Sequence, residues 1–148
     1  MIDVYNDIFR RELQKLETEI LAFRDEAHLW IVYGDIKNSA GNLCLHLCGN
    51  LQHFIGVELG KSDYVRNRES EFNAKNSSRE LLIKEINNSI TAVELGLRTI
   101  SEDDLQKIYP RSFLGKEVTT AYFLIHLISH FDYHLGQINY LRRMTINS

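Results

Sequence analysis

A single proline, Pro110, interrupts the 148 residues of this chain. Proline disrupts a helix interior more strongly than any other residue, and here it lies between two stretches in which apolar side chains recur every three or four positions. That period places the apolar side chains on one face of an α-helix, whereas a strand would require strict alternation. The sequence therefore predicts an all-α fold made of long helices.

Four helices are predicted from this period and from residues that typically begin and end helices. They cover residues 4–23, residues 39–59, a stretch that begins at Ser77 or Ser78, and residues 116–143. Asn38 or Ser39 would cap the second helix, and Gly60 would end it. The connections are long, which favours a four-helix bundle with at least one crossover connection. The length fits a single domain, residues 1–148.

Three glycines recur along the second predicted helix, at Gly41, Gly49 and Gly56. Glycine inside a helix is less favourable than alanine by about 1 kcal/mol, so its use there needs a reason. Since glycine lacks a side chain, we expect a neighbouring backbone to approach the helix closely along this row.

Charge and cysteine content argue against several classes of protein. The formal net charge is −3 and the longest basic run is Arg142-Arg143, so nucleic-acid binding has no electrostatic support. Cys44 and Cys48 lie four apart in a predicted helix, where a disulfide would be strained, so we interpret them as free thiols that pack in the core. Reduced thiols, no signal-peptide pattern and no membrane-spanning apolar stretch together predict a cytoplasmic protein.

Two predicted helices carry polar residues on faces that should be apolar. The spacing of three and four residues aligns them in one row on the second helix and one row on the fourth. The two rows consist of His46, Asn50 and His53, and of His126, His130, His134 and Gln137. Buried polar groups cost free energy unless they find partners, so we expect the two rows to face one another.

The histidines in these rows have the spacing of metal ligands. Two histidines four apart on one helix can both reach one ion, and both His126 with His130 and His130 with His134 satisfy this condition. His46 from the second helix would supply a third ring. Three protein ligands with one open position are typical of catalytic zinc sites. A hydrogen-bonded network without metal is the alternative interpretation.

Three segments resemble the DinB-like/YfiT-like superfamily, the DNA-damage-inducible family of four-helix bundles. Residues 129–138, SHFDYHLGQI, resemble its last-helix motif, in which two histidines four apart are followed by one residue, a glycine and a glutamine. Residues 38–51, NSAGNLCLHLCGNL, resemble its first-histidine segment. Residues 66–72, RNRESEF, are similar to an arginine-rich loop of one branch.

The resemblance implies a bundle with a crossover connection, a homodimer, and a divalent metal ion, zinc or nickel, bound by His46, His130 and His134. It selects the second of the two histidine pairs on the fourth helix, because only that pair precedes the glycine and glutamine of the motif. One departure is Leu135, which stands where many relatives have arginine. An activity that needs that arginine to bind an anionic substrate loses support here.

The expected function is that of a metal-dependent enzyme acting on a small-molecule substrate, either transferring a low-molecular-weight thiol or hydrolysing a bond. The candidate catalytic residues are Asn50, His53, His126 and Gln137. The alternatives are a non-catalytic protein whose closed site has His53 or His126 as a fourth ligand, and a dimeric helical interaction module. Glu71 and Arg68 belong to a long loop that either folds over the site or forms only exposed ion pairs.

Overall fold

Five α-helices make up most of residues 1–145, the part of the chain that the structure, a computed structural model, describes. They are α1 (Ile2–Ala22), α2 (Ala40–Leu51), α3 (Arg68–Asn73), α4 (Arg79–Arg98) and α5 (Thr120–Met144). Within these residues the only β-structure is two isolated bridges, so the all-α prediction is confirmed. None of the described helices combines the length and apolar composition needed to cross a bilayer. Residues 146–148 of the predicted domain lie outside the described part.

The two helices that position the core start at the serines expected from the sequence. Ser39 begins α2 by accepting a hydrogen bond from the Asn42 N–H, and Ser78 begins α4 in the same way with the Leu81 N–H. These bonds satisfy backbone groups that have no partner within the helix. α2 then continues directly as a π-helical segment, Gln52–Val57, so the combined helix is close to the predicted second helix.

The last helix begins later than the predicted residue 116. Thr119 caps α5 by accepting from the Tyr122 N–H. The residues before it form a tight reversal instead of a helical turn, with a bridge between Phe113 and Lys116. Leu114 has a positive φ of 49°, which a continuing right-handed helix does not allow. Local turn geometry therefore overrides the helical pattern at this end.

Each long helix has two neighbours in the bundle. α1 and α2 both pack against α4 and α5, which places α1 diagonally opposite α2. Contacts between Cys48 and Ser89 and between Leu59 and Thr99 show that α2 and α4 run parallel. Parallel neighbours require a connection that returns along the bundle, so the crossover predicted from the long connections is confirmed.

The crossover connection contains the short helix α3, which the sequence-based helix prediction did not include. α3 packs against α2. The connection thus forms a strap over the second helix, on the side where polar residues interrupt its apolar surface. This placement is what brings loop residues to the candidate site.

The three glycines of the second predicted helix make room for side chains of neighbouring residues, not for a neighbouring backbone. A Cβ on Gly41 would meet the Trp30 ring, and one on Gly56 would lie 3.2 Å from the Ala92 side chain. The expected backbone approach occurs instead at Gly96 of α4, where a Cβ would lie 2.6 Å from the carbonyl oxygen of Ile55. The prediction of close packing was right in kind but wrong about the positions.

The contrast between Gly96 and Gly136 provides a test of this packing. Gly96→Ala should lower the free energy of unfolding by about 1–2 kcal/mol, because the overlap with Ile55 outweighs the better helix propensity of alanine. Gly136→Ala should raise it by up to about 1 kcal/mol, since nothing lies within 4 Å of that position. Urea denaturation measures both variants. Similar shifts in the same direction would contradict the proposed contact between α4 and the end of α2.

Candidate metal centre

Three histidines from two helices meet at the contact between α2 and α5. His46 lies in the middle of α2 and is buried, whereas His130 and His134 lie one turn apart on α5 and are half-buried. Each offers a ring nitrogen, and these three atoms lie within 4.8 Å of one another. The structure therefore brings together the three histidines that the resemblance implied. We call them the histidine cluster.

The rings of the histidine cluster approach one another edge to face. Nε2 of His46 lies 3.1 Å from Nε2 of His130. The ring centroids are 5.3 Å apart for His46 and His134 and 4.7 Å apart for His130 and His134. His126, the other possible partner of His130, packs on Phe113. The ring centroids of His126 and His130 are 6.2 Å apart. Of the two pairs that the spacing allowed, the structure joins His130 and His134 to His46.

Two rings of the cluster have an acceptor on their second nitrogen. Nδ1 of His46 lies 3.2 Å from Oε1 of Glu71, and Nδ1 of His134 lies 2.7 Å from Oε1 of Gln137. A carboxylate or amide oxygen accepts, so both Nδ1 atoms donate and both Nε2 atoms keep a lone pair. Histidines that bind metals are typically held in this way. Nδ1 of His130 is buried and has no hydrogen-bond partner among residues 1–145.

Glu71 reaches His46 from α3, and Arg66 holds it in place. The guanidinium is bidentate, with Nε donating to Oε2 and Nη2 to Oε1, each at 2.9 Å. Only 6% of the Glu71 side chain and 11% of the Arg66 side chain are exposed. Burial would raise the pKa of Glu71, but the hydrogen bonds from His46 and Arg66 outweigh burial and hold that pKa below its usual value. Glu71 is therefore a carboxylate at neutral pH.

Gly49 and Phe72 complete the surroundings of His46. A Cβ on Gly49 would overlap the Glu71 carboxylate, so a glycine at this point of α2 makes room for the acceptor. Phe72 packs on the His46 ring with centroids 4.8 Å apart. The strap thus provides both a polar and an apolar wall for one ring of the histidine cluster.

A helix-start pattern in the sequence indicates the ordered helix α3, which the sequence analysis treated as a loop. Asn67 accepts from the Ser70 N–H and begins α3, which is a recognisable N-cap pattern. Of the two loop residues singled out, Glu71 joins the site, whereas Arg68 stays exposed. Arg66, the residue that pairs with Glu71, was not among the predicted site residues. Recognition of a helix start at Asn67 would have indicated an ordered strap instead of a solvated loop.

Removing the Glu71 carboxylate should destabilise the protein. We expect Glu71→Leu to lower the free energy of unfolding by about 3–5 kcal/mol, because Arg66 would keep a nearly buried charge without a partner. The double variant Glu71→Leu/Arg66→Met should recover much of this loss, since both charges are then absent. Urea denaturation at neutral pH measures both, with the exposed Glu69→Leu as control. Equal losses in the single and double variants would refute the buried-pair explanation.

Two of the candidate catalytic residues lie next to the histidine cluster. Gln137 contacts His134 directly through the hydrogen bond described above. Asn50 lies one turn after His46 on α2 and is buried, and its Oδ1 has no hydrogen-bond partner in the described part of the chain. The geometry is compatible with a role in orienting groups at the site, and a catalytic role for either residue stays a prediction.

The other two candidates have partners outside the histidine cluster. Nε2 of His53 lies 3.6 Å from Oε1 of Glu58, which in turn accepts from Arg111 at 2.8 Å. His126 is enclosed by aromatic rings, including that of Phe113. Within residues 1–145 the group of possible metal ligands contains neither of them. The structure does not bring His53 or His126 to the position of a fourth ligand.

The cysteines of α2 are free thiols and fully buried. The hydrogen bond with Cys48, followed by burial, raises the pKa of Cys44 well above its ordinary value, so this thiol is protonated at neutral pH. Neither cysteine belongs to the group of possible metal ligands within the described residues. Their environment agrees with the expectation that they are packing residues.

Burial keeps the imidazoles on α5 neutral. Burial, followed by the neighbouring rings of His134 and His46, lowers the pKa of His130 to about 4. Burial also lowers the pKa of His134. Both rings are therefore uncharged at neutral pH, which is the protonation state in which imidazole binds a cation.

The lowered pKa of His130 predicts a loss of stability in acid. The unfolded chain takes up a proton at this residue below its ordinary pKa of 6.5, whereas the folded chain does so only near pH 4. Unfolding is then accompanied by proton uptake, so in chelator-treated protein the free energy of unfolding should fall as the pH is lowered from about 6.5 to about 4. The free energy of unfolding of His130→Gln should fall less over this range than that of the wild type. An unchanged slope in His130→Gln would contradict the prediction.

The donor set of the histidine cluster fits a divalent transition-metal ion. Neutral imidazoles suit zinc, nickel, copper and iron, and two of the three rings have the outer acceptors that ligating histidines use. No carboxylate or thiol joins the cluster within residues 1–145. Three protein donors are fewer than the four of a closed structural zinc site, so one position is left for another ligand.

The fold and the site define a helical bundle with a three-histidine cluster that could hold a metal ion. The chain belongs to the family whose model, described as "Protein of unknown function (DUF1572)", matches residues 2–148. The crystal structure of the conserved protein of locus from Enterococcus faecalis is similar in fold, with a TM-score of 0.78 and 17% sequence identity over 100% of this chain and 98% of that chain. No curated protein matches the sequence.

Proposed function

We propose that this protein is a metal-dependent enzyme of the DinB-like/YfiT-like class, in which His46, His130 and His134 hold one divalent ion, zinc or nickel. The observation that carries the proposal is the convergence of three ring nitrogens within 4.8 Å, without a further histidine, cysteine or carboxylate ligand in the same group among the described residues. The sequence resemblance supports the same three residues, and the bundle with a crossover agrees with the fold that it implies.

The ion would supply Lewis-acid activation of a water molecule or a small thiol, which makes either a nucleophile at neutral pH. The residues of the chain have separate tasks. Glu71 and Gln137 fix the orientation of His46 and His134 through their Nδ1 atoms. Arg66 neutralises the charge of Glu71, and the Phe72 ring packs against His46. The reaction class proposed is hydrolysis or thiol transfer on a small-molecule substrate, and a homodimer stays a prediction.

Metal binding is tested on protein purified without an affinity tag. Elemental analysis and zinc titration should give about one ion per chain for the wild type and at least tenfold weaker binding for His130→Ala. His126→Ala is a matched control, because His126 lies on the same helix and is four residues from His130, as His134 is, but lies outside the cluster. It should bind the ion like the wild type.

Activity is tested on the same three proteins. Turnover of either an ester and amide panel or an electrophile with a small thiol should depend on added metal, disappear in His130→Ala and persist in His126→Ala. A wild type that binds neither zinc nor nickel would overturn the metal proposal. Stoichiometric metal without turnover in either panel, together with a large loss of thermal stability on chelation, would favour the structural alternative.

A further inference from the structure

A cavity of about 320 Å³ lies between the residues that lead into α2 and the last turns of α5. Its wall is largely apolar and includes Leu43, Leu141 and Met144. Small-molecule sites are typically concave and apolar, with a few polar groups that fix orientation, and their volumes begin at about 300 Å³. The cavity has the size of a small organic molecule and is too small for a folded partner.

The cavity shares part of its wall with the candidate metal centre. Gln137 lines it, and the same residue accepts the hydrogen bond from Nδ1 of His134. Leu43 lines it from α2, three residues before His46 and therefore on the same face of the helix. A molecule in the cavity would lie against residues one helical turn from the histidine cluster.

The polar groups of the cavity indicate the charge of its ligand. Among residues 1–145, Lys37 is the only charged residue in the lining, and no carboxylate of these residues forms an ion pair with it. Asn38 and Gln137 add neutral hydrogen-bonding groups. An apolar wall with one unpaired cation at its edge is complementary to an anion that has an apolar body.

We infer that this cavity is the substrate site of the proposed enzyme and that it binds small organic anions with an apolar body, with Lys37 beside the anionic group. That the bound anion is a substrate rests on the proposed function, whereas the binding of an anion in the cavity does not depend on it.

Binding of simple probes tests the inference. Octanoate and octylammonium have the same apolar chain and opposite charge. Calorimetric titration should show octanoate binding about tenfold more tightly, because the ammonium group of octylammonium would be repelled by the charge of Lys37. Lys37→Gln should remove most of this preference. Lys84→Gln, on the exposed surface of α4, is the matched control and should keep it.

A second pair of variants tests the location without changing charge. Met144 lies at the rim of the cavity with 45% of its surface exposed, so Met144→Trp should fill the space without disturbing the core. It should weaken the binding of octanoate at least tenfold, whereas Leu95→Trp, an exposed position on α4, should not. Equal binding of the two probes, or equal effects of the cavity and control variants, would overturn the inference.

Metal titration of the same proteins separates this inference from the proposed function. Octanoate should bind both before and after chelation, since the cavity is adjacent to the histidine cluster and does not include its rings. Lys37→Gln and Met144→Trp should bind zinc like the wild type. Octanoate binding by a wild type that takes up neither zinc nor nickel would overturn the enzyme proposal alone. Metal binding without a charge preference at the cavity would overturn the anion site alone.

Discussion

The contact between α2 and α5 is the constraint on which the site depends. It places imidazoles from two helices within an apolar bundle, where an unpartnered polar group costs free energy. The outer nitrogens of His46 and His134 find oxygen acceptors, but the inner nitrogens meet mainly one another. A cation shared by three lone pairs would satisfy them together, and this physical argument underlies the proposed metal centre.

The crossover connection makes that contact specific. Because α2 and α4 are parallel, the chain must return along the bundle, and its return path lies over the part of α2 that contains His46. The strap provides Glu71, Arg66 supplies the opposite charge, and Gly49 leaves room for the carboxylate. A feature of topology thus supplies the residue that orients one histidine of the cluster.

The sequence predicted those parts of the fold and site that depend on local spacing. Ser39 and Ser78 cap their helices as expected because a cap depends on residues within one turn. The polar rows of the second and fourth predicted helices meet at His46, His130 and His134, because buried polar groups need partners. The predicted start of α5 was wrong because a bridge between Phe113 and Lys116 forms where the helix was expected to begin. The pairing of Arg66 with Glu71 was missed because α3 is too short for a periodic signal.

The sequence by itself determined the helical class, the two polar rows and the set of histidines available to a metal. Helical period and the cost of burying polar groups are sufficient for that much. Only the tertiary structure decided that Arg66 holds Glu71 and that a cavity borders Gln137. These facts depend on which helices are neighbours and in which direction they run, and no spacing along the chain encodes the distance between side chains on different helices.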